Sequence, residues 1–376
     1  MAYVRGVGET AFGRLDDADT LSLLAEAADG ALEDAGLARG DIDGVLCGYS
    51  YQLPHIMIAS LFSEYYGIEP SYCHGVSLGG GTGAIMVMLA KRLVDIGQCR
   101  NVLVLGAENR LNTKSEGTLK MIASCGHPDF EDPLGLTIPA YYAFMATAYM
   151  DRYRVTEPDL AEFAVLMRAN AARHPKAHKR TPITVEDVLA SRPVADPLKL
   201  LDCCLISDGG CAAVISSEAG SGRAVEIVGA AQSHPYQHVI AAPDLTDYKS
   251  AKALDVALKE AGISRDDLEI AGIYDSYTIT LLAFLEDLKL APRGGAAAMC
   301  REGHFSPGGR LPLNTHGGLM SFGHSGVAGG LAHVNEVYRQ MAGKAGDRQF
   351  GNPRAGVVHG EGGIFSSQVS LIFKQG

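Results

Sequence analysis

Two rhythms of apolar spacing alternate along this chain. From Leu21 to Ala35 apolar side chains recur at i, i+3 and i+4 and Gly36 follows; the same spacing runs from Ser250 to Ala261 and stops at Gly262. That period predicts a helix with one buried face, and a glycine just past the end suits the left-handed position that closes helices. Short β-branched runs lie between such stretches, NVLVLG from Asn101 and VVHG from Val357 among them. Helices alternating with short strands predict a mixed α/β sheet. Further on, Val327, Leu331, Val334 and Val337 mark another helix, preceded by NTHGGLMSFGHSG from Asn314. His324 is therefore expected on a glycine-rich loop entering a helix N-terminus.

The pattern is written twice. ALEDAGLARGDIDGVLCGYS, starting at Ala31, aligns without gaps with ALKEAGISRDDLEIAGIYDS, starting at Ala257, a shift of 226 positions (31 to 257). VRGVG at Val4 pairs with VEIVG at Val225, and the helical stretch ending at Gly97 pairs with the one ending at Gly343. RNVLVLGAE at Arg100 pairs with RAGVVHGEGG at Arg354. Each half predicts strand, helix, strand, glycine-rich turn, helix, strand, with the halves falling at 1–222 and 223–376. Two such halves facing one another would form a layered sandwich with pseudo-twofold symmetry. An insertion at about 111–197 carries the helical run YYAFMATAYMDRYRVTEPDLAEFAVLMRANAARHP, with two apolar faces. A cover over a site and a surface platform both fit it.

Composition bounds the class. With 376 residues, 47% hydrophobic and 20% charged, the chain buries an ample core in one large or two closely packed domains. A formal net charge of −11 argues against a nucleic-acid surface or a polybasic membrane patch. The start, MAYVRGVGETAFGR, lacks a charged region followed by an apolar run, and the longest apolar stretch, around Ala84–Leu89, is too short to span a bilayer. Eight irregularly spaced cysteines without a CxxC pair read as reduced thiols, mostly core residues, so a cytoplasmic protein without structural zinc is expected.

Three motifs carry candidate chemistry. The first is HGVSLGGGTGAIMVMLAKRLVDIG, from His74 to Gly97: it lacks the lysine of a P-loop, and Gly80 in its turn offers no thiolate. Tight helix–sheet packing and room for a bulky substrate both account for those glycines. The second is AGIYDSYTITLLAFLEDLKL from Ala271, where Tyr274 is either a hydrogen-bonded core tyrosine or, once its pKa falls, an acid, base or oxyanion donor. Asp275 beside it is expected to fix the turn. The third comprises His316 and His324, whose spacing provides no i, i+4 pair for a metal, so acid–base work is the sharper expectation, foremost for His324.

In order and spacing these motifs resemble the thiolase superfamily over nearly the whole chain. Gly323-His324 resembles its GHP-type histidine loop, with Ser325 where proline is usual, and DCCLISDGGCAAVISS from Asp202 resembles its SDGAAA segment. The resemblance implies a duplicated five-layered α-β-α-β-α sandwich, with the insertion as a loop domain over an acyl-CoA site. It puts the superfamily's nucleophilic cysteine at Gly80, its thioester-holding Asn or His at Tyr274, and its second cysteine loop at His359–Gly363. Both cysteines are absent, and the backbone N–H of Gly362 or Gly363 is expected to form part of an oxyanion hole. Cys203, Cys204 and Cys211 are expected to pack.

NTHGG, YDSYTIT, LEDL and GEGGIFSSQ are most similar to the sterol-carrier-protein-x and lipid-transfer-protein branch. Some of its members, the Ltp2-like steroid side-chain aldolases, cleave a β-hydroxyacyl-CoA by retro-aldol reaction with two tyrosines. The first maps onto Tyr274; the second falls on His324. The resemblance implies a homodimer working with a small zinc-ribbon/OB-fold partner, and CoA only as part of the substrate. Without a nucleophile to hold an acyl group, the remaining competence is carbon–carbon cleavage through an enolate. The alternatives are an acyltransferase using another thiol, Cys73 or Cys125, and a non-catalytic acyl-CoA or lipid-binding subunit.

Overall fold

The computed structural model describes residues 1–111, 125–220 and 222–376. Stretch 112–124 of the expected loop domain lies outside them. The helix starting the duplicated unit, α1 (Thr20–Ala35), buries Leu23, Leu24, Ala27, Ala28, Ala31 and Leu32, which is the predicted face. Asp19 caps its first turn, and Gly36 closes it at φ 64°. Its counterpart α6 (Ala251–Ala261) buries Ala253, Leu254, Ala257 and Leu258 and closes on Gly262 at φ 65°.

Strands pair in the same way in both halves. In the first, β2 (Gly44–Gly48) runs parallel to β3 (Tyr72–Val76) and to β4 (Asn101–Asn109). Next to β4 comes antiparallel β7 (Asp208–Ser216), then β1 (Tyr3–Glu9). In the second, β9 (Ile270–Ile273) is parallel to β10 (Ala355–Gly362), followed by antiparallel β11 (Ser367–Gln375) and β8 (Val225–Ser233). The counterpart of β3 shrinks to one parallel bridge, Ala271 to Leu313. The half-sheets meet edge to edge where Tyr3 and Val4 pair with Glu226 and Val225.

Two helices fill the space between the half-sheets. These are α3 (Thr82–Asp95) and α8 (Val327–Ala342), which pack on each other and on strands of both halves. Val327, Leu331, Val334, Val337 and Met341 of α8 are fully or almost fully buried, each contributing about 1.5–3 kcal/mol. α1 and α2 (Ile58–Tyr66) cover the outer face of the first half; α6 and α7 (Thr278–Asp287) cover that of the second. The layers are thus α-β-α-β-α, and the motif-bearing turns all lead into or out of the central one.

Between β4 and β7 the expected helical run divides into α4 (Ile138–Tyr153) and α5 (Glu157–Ala172). Arg154 takes the left-handed conformation at φ 60°, and Asp159 then caps the start of α5, accepting from the Thr156 N–H at 2.8 Å and hydroxyl at 2.6 Å, with Pro158 in the first turn. Both helices bury their apolar sides against the second half, among Ile273, Tyr277, Leu281 and Phe365.

Candidate active site

Tyr274 is the first residue after β9, and two anchors fix where it points. Its N–H donates to the His359 carbonyl at 2.9 Å. The Asn314 side chain brackets the preceding residue, accepting from Ile273 N–H at 2.7 Å and donating to its carbonyl at 2.8 Å. Asp275 accepts from the Leu319 N–H at 2.8 Å and lies 3.4 Å from His333 Nε2, which ties the turn Gly318–Phe322 to the same spot. So held, the phenol reaches across to the turn before α3. A Cβ on Gly80 would overlap the Tyr274 hydroxyl and lie 2.6 Å from the Glu361 carbonyl oxygen. The space a nucleophile's side chain would need is filled by a phenol from the other half.

His324 approaches from the loop before α8. Ser325 pins that loop, its hydroxyl lying 2.9 Å from the Glu108 carbonyl and 2.7 Å from that of Gly209. The His324 carbonyl accepts from Ser207 N–H at 3.1 Å. The imidazole then spans two partners: Nε2 is 3.4 Å from the Tyr274 hydroxyl, with the rings perpendicular, and Nδ1 is 3.1 Å from Cys204 Sγ. Cys204 is therefore not a packing residue alone, as its motif suggested; the segment before β7 turns it toward the imidazole. Cys211 is fully buried in β7, and the Cys203 thiol donates to the Lys199 carbonyl.

Burial sets the protonation of all three groups. It pulls His324 down to about 3, helped by Arg110 and His333, so the imidazole is neutral. It drives the Cys204 thiol far up. Tyr274 is also raised well above the usual phenol value, by burial first and then by the charge of Glu361. The expected fall of the phenol's pKa is thus reversed, because among the described residues no cation pairs with the phenol oxygen and desolvation dominates. The resting site is a neutral phenol, a neutral imidazole and a neutral thiol in a line.

The two glycine turns meet. A Cβ on Gly79 would lie 3.0 Å from the Gly363 nitrogen, and one on Gly81 would lie 3.3 Å from that of Gly362. Gly80, Gly362 and Gly363 are therefore neighbours beside the N-terminus of α3, whose dipole favours negative charge. His316 stands apart. It packs on Phe322 and on His333, ring centroids 5.2 and 5.0 Å away, and both its nitrogens are buried without a hydrogen-bond partner among the described residues. After His324, it is His333 rather than His316 that lies beside Tyr274, their ring centroids 6.4 Å apart.

The other thiols considered do not join the cluster. Cys73 sits on the edge strand β3, its sulfur 3.6 Å from Ser63 Oγ, and burial raises Cys125 to about 11. Among the described residues no group of three or more His, Cys, Asp or Glu side chains is arranged to hold a metal, and no helix is long and apolar enough to cross a membrane. Sequence reasoning missed Cys204, Glu361 and Tyr142. Glu361 was hidden in a run read for its glycines, and Tyr142 in a helix read for its apolar faces.

Comparison with known proteins follows the same lines. The family described as "Thiolase, N-terminal domain" matches residues 3–219, and "Thiolase C-terminal domain-like" matches residues 231–375. The 17-hydroxy-3-oxo-4-pregnene-20-carboxyl-CoA lyase of Mycobacterium tuberculosis is 33% identical, across 95% of this chain and 94% of its own. The acetyl-CoA acetyltransferase of Methanothermobacter thermautotrophicus is 31% identical, across 99% of both. Of solved structures, the Ltp2-ChsH2(DUF35) aldolase superposes with a TM-score of 0.87 at 29% identity, covering 100% of this chain and 97% of that one.

Proposed function

The chain belongs to the thiolase superfamily, in its sterol-carrier-protein-like branch, and from that premise we propose that it is an acyl-CoA carbon–carbon lyase performing retro-aldol cleavage of a β-hydroxyacyl-CoA. One observation carries the reading. The Tyr274 phenol occupies the place of the missing nucleophile, with the His324 imidazole 3.4 Å from its oxygen.

The chemistry follows from the protonation states. A phenol with a raised pKa is a poor base alone but can pass a proton along. As the phenol oxygen takes the β-hydroxyl proton, its own proton moves to the neutral Nε2 of His324. The electrons of the Cα–Cβ bond pass to the thioester as an enolate, and the β-carbon leaves as a ketone or aldehyde. The imidazolium then returns its proton to the α-carbon, restoring both side chains. In this reading the backbone around Gly80, Gly362 and Gly363 holds the enolate oxygen. The substrate is an acyl-CoA thioester, CoA entering only as part of it. The reading extends to a homodimer with a small partner subunit, the second component being in line with the two named in the Ltp2-ChsH2(DUF35) aldolase.

The test is α-hydrogen exchange of acetyl-CoA in D2O, followed by mass, because enolate formation needs no knowledge of the acyl tail. Exchange lost in His324→Gln supports the reading; exchange unaffected by that change sinks it.

A second reading is favoured by one distance, the 3.1 Å between Cys204 Sγ and His324 Nδ1. A thiol beside an imidazole is the arrangement of an activated nucleophile, which would make the protein an acyltransferase. Against it stands the strongly raised thiol pKa, which leaves almost no thiolate. An acyl adduct on Cys204 after incubation with acetyl-CoA would decide for it.

A further inference from the structure

Glu361 lies near the end of β10, with its carbonyl oxygen against the Gly80 turn. Its carboxyl group is 1% exposed. One oxygen takes two hydrogen bonds, from the Tyr142 hydroxyl at 2.6 Å and from the Phe365 N–H at 2.5 Å; the other is buried without a partner among the described residues. Among the described residues no lysine, arginine or histidine is paired with it. The side chains that feel its charge are phenols from three surrounding elements: Tyr142 of α4, Tyr236 after β8, and Tyr274 and Tyr277 between β9 and α7. His359 on its own strand is neutral, bonded to Ser370 and Gln368.

A carboxylate in such a place has nothing to offset its charge, whereas a carboxylic acid fits it. We propose that Glu361 is a positioning residue that works as a neutral acid, and that its ionisation switches the Tyr274–His324 pair off. The inference rests on the enolate chemistry proposed above. Negative charge developing on the thioester, and on the phenol oxygen as it hands its proton on, would face a second negative charge in apolar surroundings. Burial pushes the Glu361 carboxyl up to about 7, so the switch falls in an ordinary range: on below it, off above.

Two readouts test this. In pH-matched D2O buffers, acetyl-CoA exchange by the wild type should fall about tenfold per pH unit above about 7. Glu361→Gln, which keeps an acceptor for Tyr142 and cannot ionise, should hold its rate across that range. Tyr142→Phe removes a hydrogen bond that holds the Glu361 pKa down, so its fall should begin at higher pH. Infrared difference spectra supply the second readout: a protonated carboxyl band should be present near pH 6, be lost by about pH 8, and be absent in Glu361→Gln. An unchanged pH profile in Glu361→Gln, a uniform slowing at every pH, or the absence of that band overturns the proposal. His324→Gln separates the two levels. If it exchanges like wild type, or wild type exchanges nothing, the function fails and takes this inference with it. If it is dead while Glu361→Gln keeps the wild-type profile, only Glu361 is wrong.

Discussion

The hydroxyl of Tyr274 fills the space that any side chain on Gly80 would require. The two residues come from opposite halves of the duplicated unit, so neither explains itself: the glycine is empty because the phenol is there, and the phenol is useful because the glycine is empty. In the lyase reading, loss of the nucleophile and gain of an acid–base group are one structural event.

Substituting the glycine tests that relationship. Gly80→Ala should lower stability by about 1–3 kcal/mol, the ordinary cost of overpacking, read as a lower melting temperature. Tyr274→Ala removes one of the two obstacles. In the double variant the alanine at 80 should therefore cost at least about 0.5 kcal/mol less than in the wild-type background. The Glu361 carbonyl, which a Cβ would still meet at 2.6 Å, keeps the relief partial. Strict additivity would mean the two residues do not compete for space.

Tyr274→Phe keeps the ring and deletes the proton path. Cleavage of a β-hydroxyacyl-CoA should drop by about 10²–10⁴-fold, the usual worth of a positioned acid–base group, with melting little changed. His324→Gln should lose a similar factor. The double variant should lose no more than the worse single one, because the two side chains act as one relay. Independent, multiplying losses would argue against a shared proton path.

Much of this is legible in the sequence alone. The 226-residue repeat located α1 and α6 with their closing glycines, Gly36 and Gly262, because helix ends are written in local residues. It also aligned Tyr274 with a first-half turn. What it could not show was the degeneration of one strand to the Ala271–Leu313 bridge, since a lost strand leaves no periodic mark. The division of the inserted helix at Arg154 was legible in Thr156-Glu157-Pro158-Asp159, a capping signature overshadowed by continuous apolar spacing. Cys204 is a different case. Its contact with His324 crosses 120 residues and joins segments of both halves, so no local pattern announces it.

That contact makes Cys204 a test between mechanisms. In the lyase reading the thiol only steadies the imidazole, and Cys204→Ala should keep exchange within about tenfold, consistent with the modest net worth of a single hydrogen bond. No acyl adduct should form on the wild type. In the acyltransferase reading the same substitution abolishes turnover, and the adduct appears by mass spectrometry. The raised thiol pKa predicts the first outcome.

Acid stability provides the last check, through His359. Its ring is fully buried, with Nδ1 2.9 Å from Ser370 Oγ and Nε2 2.9 Å from Gln368 Oε1, and burial pulls it down to about 4. A histidine depressed in the folded state takes up its proton first in the unfolded chain. Its neutral form therefore costs nothing above about 6.5, and stability is lost as pH falls from there toward 4. The loss runs at about 1.4 kcal/mol per pH unit and reaches about 3 kcal/mol. His174, pulled to about 4, and His324 act in the same direction. Glu361 acts in the opposite one: its raised value means that stability is lost as pH rises from about 4.5 to 7, so acid relieves it. Urea unfolding at pH 7, 6 and 5 should thus show declining stability in the wild type, and a decline shallower by about 1 kcal/mol per unit in His359→Gln. Equal slopes would mean that His359 protonates as readily inside the protein as outside, which a ring so enclosed between β10 and β11 should not allow.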